Sequence, residues 1–218
     1  MEYIDLNLVE YSEAWSFQET LFDANLNAKQ NHTPTKNTLI FCEHPHVITL
    51  GRSGNSDNLL FAEEYLKEKG VSLFRIDRGG DITYHGPGQL VGYPIFDLEF
   101  YKIGLRQYIF NIEESIIRFL GLYGVKAERL AGATGVWLDV NVPKSTRKIA
   151  AIGVRSSRYV TMHGFALNIN TDLSYFSLIN PCGFIDKGVT SLEKEIGTKV
   201  DMQEVKSQMK QIIEDIFI

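Results

Sequence analysis

Between Val125 and Asn170 the chain carries four short apolar runs, "VKAERL", "GVWLDV", "KIAAIGV" and "TMHGFALNI", with turn-forming residues between them and no helical crossover. Each run has the length and the β-branched or aromatic content of a strand. Parallel neighbours need long crossovers, so runs this close together must pair mainly antiparallel. The stretch therefore predicts a mixed, mostly antiparallel sheet with helices packed on it, an α+β domain.

The rest of the chain fits around that sheet. Residues 3–9 alternate as a strand, and Ser12 stands where it can cap a helix with Trp15, Leu21, Phe22 and Leu26 on its apolar side. "TLIFCE" and "HVITLG" predict two short strands, followed by a helix from about Leu59 to Lys69 stopped by Gly70. "VSLFRID" and "LVGYPIFDL" read as strands. Leu105, Tyr108, Ile109, Ile112, Ile116 and Leu120 repeat at helical spacing, and Gly121 and Gly124 end that helix. A last helix, from roughly Met202 to Ile216, sets Val205, Met209, Ile212 and Ile216 on one side. No Pro- or Ser-rich linker divides the chain, so residues 1–218 are expected to form a single domain.

Composition limits the setting. With 44% hydrophobic and 22% charged residues the chain is globular in class. No apolar run approaches the ~20 residues that span a bilayer, and "MEYIDLNLVE" lacks signal-peptide architecture, so a cytoplasmic location without membrane contact is expected. Two cysteines are too few for a disulfide framework and are expected as free thiols. A net charge of −5 argues against nucleic acid as a partner. Lys144, Arg147, Lys148, Arg155 and Arg158 nevertheless follow one another with no acidic residue between, which predicts a local positive patch.

Chemistry has few places to sit. Cys42 lies within a strand run and reads as a small buried hydrophobe. Cys182, in "INPCGFIDKGVTS", stands in a loop between Pro181 and Gly183, which exposes the sulfur and lets the following amides point at one anion. A thiol with a pKa of about 8.5 is only partly ionised near neutrality and needs a neighbouring cation or base. His85, His163 and the lysines are the candidates, among them Lys148 at the head of an otherwise apolar strand. His44 and His46 flank Pro45 and could face one way, but no third ligand stands at metal-site spacing, so no metal is expected. "GFIDKGVT" has the glycine spacing of a phosphate loop, yet Val189 occupies the position of the phosphate lysine, and no G-x-G-x-x-G opens a helix. No cofactor is expected, and the driving force of any reaction must come from the substrate.

The segment "RGGDITYHGPGQL" is the most unusual, with Gly79, Gly80, Gly86, Gly88 and Pro87 around the single imidazole of His85. Such glycines allow a backbone to approach a ligand closely and to turn where side chains would forbid it. "RGGDITYHGPGQLVGYPIFDL", "KIAAIGVR", "HGFALNIN" and "PCGF…GVTSLEKE", in that order, resemble the lipoyl(octanoyl) transferases over about Thr49 to Glu193. The resemblance implies the fold shared by biotin ligases and lipoate–protein ligases. It also implies transfer of an octanoyl group, without ATP, from octanoyl-acyl carrier protein to a lysine of lipoyl domains, those of 2-oxoacid dehydrogenase complexes and of the glycine cleavage H protein. Cys182 would accept the acyl group, and Lys148 would lower its pKa and later act as base.

On this reading Arg78, Gly79, Gly80, Asp81, Ile82, Thr83, Tyr84 and His85 border the substrate. Ala151, Ile152 and Gly153 with Gly164, Phe165 and Ala166 form a narrow apolar slot for the octanoyl chain, and His163 shapes the pocket. Gly153→Val or Ala166→Leu should then shorten the accepted chain at little cost in stability, and the basic patch should steer the acidic carrier. Two alternatives stay open. An ATP-dependent lipoate or biotin ligase has no need of a nucleophilic Cys182, and a non-catalytic acyl-binding module has none of the Lys148–Cys182 pair.

Overall fold

The computed structural model describes residues 1–142, 144–180 and 187–217; Pro143, residues 181–186 and Ile218 lie outside the described residues, and the expectations for Cys182 with them. The main sheet runs, in spatial order, β1 (Glu2–Leu8), β2 (Thr38–Glu43), β6 (Gln89–Ile95), β10 (Val160–Asn168), β9 (Arg147–Ser157), β8 (Ala133–Leu138) and β7 (Glu128–Leu130), with β11 (Gly188–Val189) beside β9. β1 is parallel to β2 and β11 to β9; the other neighbours are antiparallel, as the closely spaced runs require. A smaller sheet pairs β4 (Ser72–Arg75), β3 (Val47–Leu50) and β5 (Ile82–His85). β5 is the "ITYH" of the glycine-rich segment, a strand in its own right between the two expected ones, and it pairs antiparallel with β3.

Strand alternation gives the main sheet two different faces. Ile40, Cys42, Val91, Tyr93, Ile95, Val160, Met162 and Ala166 point one way, against Ala14 and Phe22 of α1 (Tyr11–Gln30). Leu39, Phe41, Leu90, Phe165 and Leu167 point the other way, into a larger core closed by α3 (Leu105–Leu122), the short α4 (Leu192–Ile196) and α5 (Met202–Phe217). The smaller sheet packs on the α1 side with α2 (Glu63–Glu68), around Ile48, Leu66, Ile82 and Tyr84.

Several local expectations change. α1 begins at Tyr11 after Glu10, with no side-chain cap, because the Val9 N–H is already tied to the Glu43 carbonyl and fixes where the chain leaves the sheet; Ser12 lies inside the first turn. The expected helix from Leu59 shrinks to α2, since Leu59 bridges Ile179 and the Leu60 N–H donates to the Leu178 carbonyl, holding both residues extended. β9 continues through the polar "RSS" to Ser157 and returns as β10 through Arg158 and Tyr159, at φ 47 and 65, a two-residue turn of the primed kind. Two members of the positive patch are met by acids from elsewhere in the chain. Arg147 pairs with Asp139 and with Glu195, the latter at 2.7 Å, and Arg155 pairs with Asp77.

Candidate active site

A cavity of about 380 Å³ opens between the main sheet and the smaller one. Gln89, Val91 and Tyr93 of β6 and Gly164, Ala166 and Asn168 of β10 line it, every second residue of two strands whose register sets Ala166 against Val91 and Asn168 against Gln89. Across the gap stand Tyr11, Arg78, Thr83 and His85.

Lys148 reaches this cavity through a fault in the strand. β8 pairs Val136 with Ala150 but the next residue, Trp137, with Lys148, so Ile149 is one residue too many on β9, a β-bulge. Plain alternation would put Lys148 with Ala150 on the face of the larger core. The extra residue sends both Ile149 and Ala150 into that core and turns Lys148 to the side of Ala151 and Gly153, into the cavity. Its ammonium lies 4.5 Å from the centre of the Trp137 ring, whose negative face attracts a cation. On the other side β11 sets Val189 against Lys148, and the Thr190 N–H donates to the Lys148 carbonyl at 2.9 Å. The chain enters β11 through Lys187, after residues 181–186, which include Cys182.

The residues of the glycine-rich segment have different roles. The Arg78 guanidinium donates to the carbonyl and hydroxyl of Thr49, each at 2.9 Å, and lines the cavity with Gly80, Asp81, Ile82, Thr83 and His85. Gly79 is a clamp; its N–H donates to the Val154 carbonyl at 2.9 Å and fastens the loop to β9. Tyr84 turns the opposite way, its hydroxyl 2.8 Å from His46 Nδ1 and its ring stacked on Tyr175. Of the slot residues, Ala151, Ile152, Gly153, Gly164, Phe165 and Ala166 all border the cavity. The two glycines also serve backbone packing. A Cβ on Gly153 would lie 2.7 Å from the Gly79 carbonyl oxygen, and one on Gly164 2.1 Å from that of Gly92. Gly153→Val is therefore a change to the fold, against the expectation that it would cost little stability.

Four imidazoles surround this region in different states. His163 has φ 61 within β10; alternation alone would turn it toward α3 and α5, and the left-handed backbone brings it to the cavity instead. Its Nε2–H donates to the Asp77 carboxylate at 2.9 Å, and Asp77 also holds Arg155. Burial lowers the pKa of His163 against the pull of Asp77. Burial works against ionisation of Asp77 too, but His163, Arg155 and Arg52 outweigh it and hold the carboxyl below its usual range. His85 is pushed down to about 3, by burial first and then by His44, with Gln89 opposing and Arg78 and His163 adding to the fall.

His44 donates through Nδ1 to the Val9 carbonyl, accepts from the Tyr93 hydroxyl at 2.7 Å, and is lowered to about 4 by burial. His46 stacks on Tyr175 at 4.1 Å, so the two imidazoles beside Pro45 belong to different clusters. Cys42 is fully buried, and burial raises its thiol pKa far above the usual value. Sequence reasoning missed Gln89, Asn168, Tyr93 and Asp77. Counting every second residue forward from Ala166 and along β6 finds the first three; nothing in the sequence marks Asp77.

The fold is that of the lipoate protein ligases. The bipartite lipoate protein ligase of Thermoplasma acidophilum superposes with a TM-score of 0.73 at 16% identity, over 99% of this chain and 82% of that one. The family model of the lipoyl protein ligase A/B catalytic domain matches residues 10–214. The octanoyltransferase of Parabacteroides distasonis is 60% identical over 215 residues, 99% of this chain and 97% of that protein. That of Bacteroides fragilis strain YCH46 is 61% identical over 205 residues, 94% and 92%. The chain belongs to the lipoyl protein ligase A/B catalytic-domain family, and within it to the octanoyltransferases. It is an acyltransferase that moves an octanoyl group in protein lipoylation. Among the described residues no helix is long and apolar enough to cross a membrane.

Proposed function

We propose that residues 1–218 act as one catalytic domain in the cytoplasm, carrying octanoyl from octanoyl-acyl carrier protein, by way of a thioester on Cys182, to a lysine of a lipoyl domain. The acceptors on this reading are the lipoyl domains of 2-oxoacid dehydrogenase complexes and the glycine cleavage H protein. The observation that carries it is the bulge at Ile149, which turns Lys148 out of the core and into a cavity beside the strand that follows Cys182. A lysine aimed into an acyl-sized slot, beside the strand that follows Cys182 in the sequence, suits proton handling for a thiol.

Lys148 takes the Cys182 proton, the thiolate attacks the carrier thioester, and the departing carrier thiolate receives the proton from Lys148. The incoming ammonium, free pKa about 10.4, first gives one proton to solvent; the neutral Lys148 then takes a second proton from the nitrogen as the amine attacks the acyl carbon and passes it to the Cys182 sulfur as it leaves. Thioester to amide is downhill, so ATP has no part. The chain of the acyl group lies along Ala151, Ile152, Gly153, Gly164, Phe165 and Ala166, with His163 and the Arg78–His85 wall shaping the site. Because Arg147 and Arg155 are already paired with acids, docking of the carrier is not assigned to them.

Intact mass after incubation with octanoyl-acyl carrier protein, without ATP, tests the reading. One octanoyl group should appear on the wild type and on Cys42→Ser, and none on Cys182→Ser. An unmodified wild type, or acylation of Cys182→Ser, rules the mechanism out.

A further inference from the structure

Three polar side chains of the cavity wall form one chain of hydrogen bonds whose direction is fixed at both ends. Asn168 Nδ2 lies 2.9 Å from the Thr190 carbonyl oxygen; a carbonyl only accepts, so this end of the amide is the NH₂ group. Asn168 Oδ1 then faces Gln89 Nε2 at 2.8 Å, and the second N–H of Gln89 reaches the Tyr84 carbonyl at 3.2 Å. Backbone carbonyls cannot flip, so neither amide can. Gln89 is left with Oε1 toward His85 Nδ1, 2.8 Å away, and an amide oxygen only accepts. The proton of His85 therefore sits on Nδ1, and Nε2 carries a bare lone pair in a residue that lines the cavity.

We propose that Gln89 and Asn168 are positioning residues that lock His85 in the Nδ1–H form, so that Nε2 accepts an N–H of the incoming lysine amine in the second transfer. This rests on the reading that a lysine amine is the acceptor. The choice of ligand atom follows from hydrogen-bond polarity. At its reacting end a thioester offers a carbonyl oxygen and a sulfur, both acceptors, which a lone pair repels; an amine offers N–H groups. Held by one N–H, the amine turns its own lone pair toward the acyl carbon.

The groups facing the imidazole support a neutral ring. They are the stacked Tyr11 of α1, His44 after β2, Arg78 of the loop, His163 of β10 and Gln89, and the guanidinium and both imidazoles disfavour a proton on it. His85 is therefore an acceptor in the working range and moves no proton. The same chain of bonds continues through Thr190 to the Lys148 carbonyl, so acceptor and base share one frame.

Nitrogen NMR of histidine-labelled wild type, with His85 assigned by its absence in His85→Asn, reads the tautomer directly. A protonated Nδ1 and bare Nε2, constant from about pH 5 to 8, is expected; a protonated Nε2, or titration within that range, overturns the proposal. Gln89→Glu places a carboxylate on Nδ1 and draws a proton onto the ring. Attack of an amine acceptor on the isolated acyl-enzyme should then fall about tenfold at low pH and recover at high pH, while acylation stays near wild type. A loss that ignores pH, or that falls equally on both half-reactions, makes the chain merely structural and overturns the role. The tautomer measurement needs neither a folded variant nor a turnover. A wild type that forms no acyl-enzyme but shows the expected tautomer contradicts the two-step reaction and the lysine contact, and leaves the locked tautomer standing.

Discussion

At the scale of single residues, the small side chains around the cavity do two different jobs. Gly164 lets the Gly92 carbonyl come so close that any Cβ would strike backbone, which cannot swing away as a side chain can. Ala166, two residues on, has a Cβ already and faces open space. Gly164→Ala should therefore cost about 2 kcal/mol or more by overpacking and lower Tm by about 5 °C. Ala166→Leu should leave Tm near wild type and shift acyl preference from octanoyl toward shorter chains. Thermal scans and competition between acyl thioesters, read by mass, separate the two; unchanged selectivity in Ala166→Leu would place the tail elsewhere. The sequence showed that bulk is missing at these positions. It could not show what fills the space, because a glycine looks the same whether the neighbour is a ligand or a carbonyl.

At the scale of elements, most strands and the two long amphipathic helices were legible, since period-2 and period-3.6 patterns are local. The elements that escaped depend on distant partners. "ITYH" is four residues among glycines and becomes a strand only beside β3, and Leu59 and Leu60 stay extended only because Leu178 and Ile179 meet them. The bulge was hidden in "IAAIGV", an uninterrupted apolar run with no alternation to count. The β9–β10 turn yields a prediction of its own. Arg158 and Tyr159 are exposed and hold left-handed backbone that favours Asn and Gly, so Arg158→Asn with Tyr159→Gly should stabilise the protein by about 1 kcal/mol. Urea unfolding measures it. A variant no more stable than wild type would mean that the side chains replaced contribute as much as the strain removed.

At the scale of the whole molecule, neutral buried histidines make stability depend on pH. His44 and His85 have folded pKa values of about 4 and 3, against about 6.5 when unfolded, so the unfolded chain binds more protons throughout that interval. Their contribution is complete above the unfolded value and is lost as pH falls toward the folded ones, and His163 adds in the same direction. Unfolding free energy should drop by about 3 kcal/mol per pH unit near pH 5. Denaturant titrations at three pH values check this, and a flat profile would mean that these rings are charged in the fold. The main sheet has a further consequence for any change of chain length. On β10 the even numbers, Met162, Gly164, Ala166 and Asn168, belong to the chemistry side, while Leu167 belongs to the packing side, as does Phe165, which also borders the cavity. One residue inserted or deleted inside the strand exchanges the two memberships, putting leucine where Ala166 leaves room for the acyl chain and asparagine among the leucines. The bulge at Ile149 is such an insertion already in place on β9, and it is the reason that a lysine beside the buried Ile149 and Ala150 can belong to the other side.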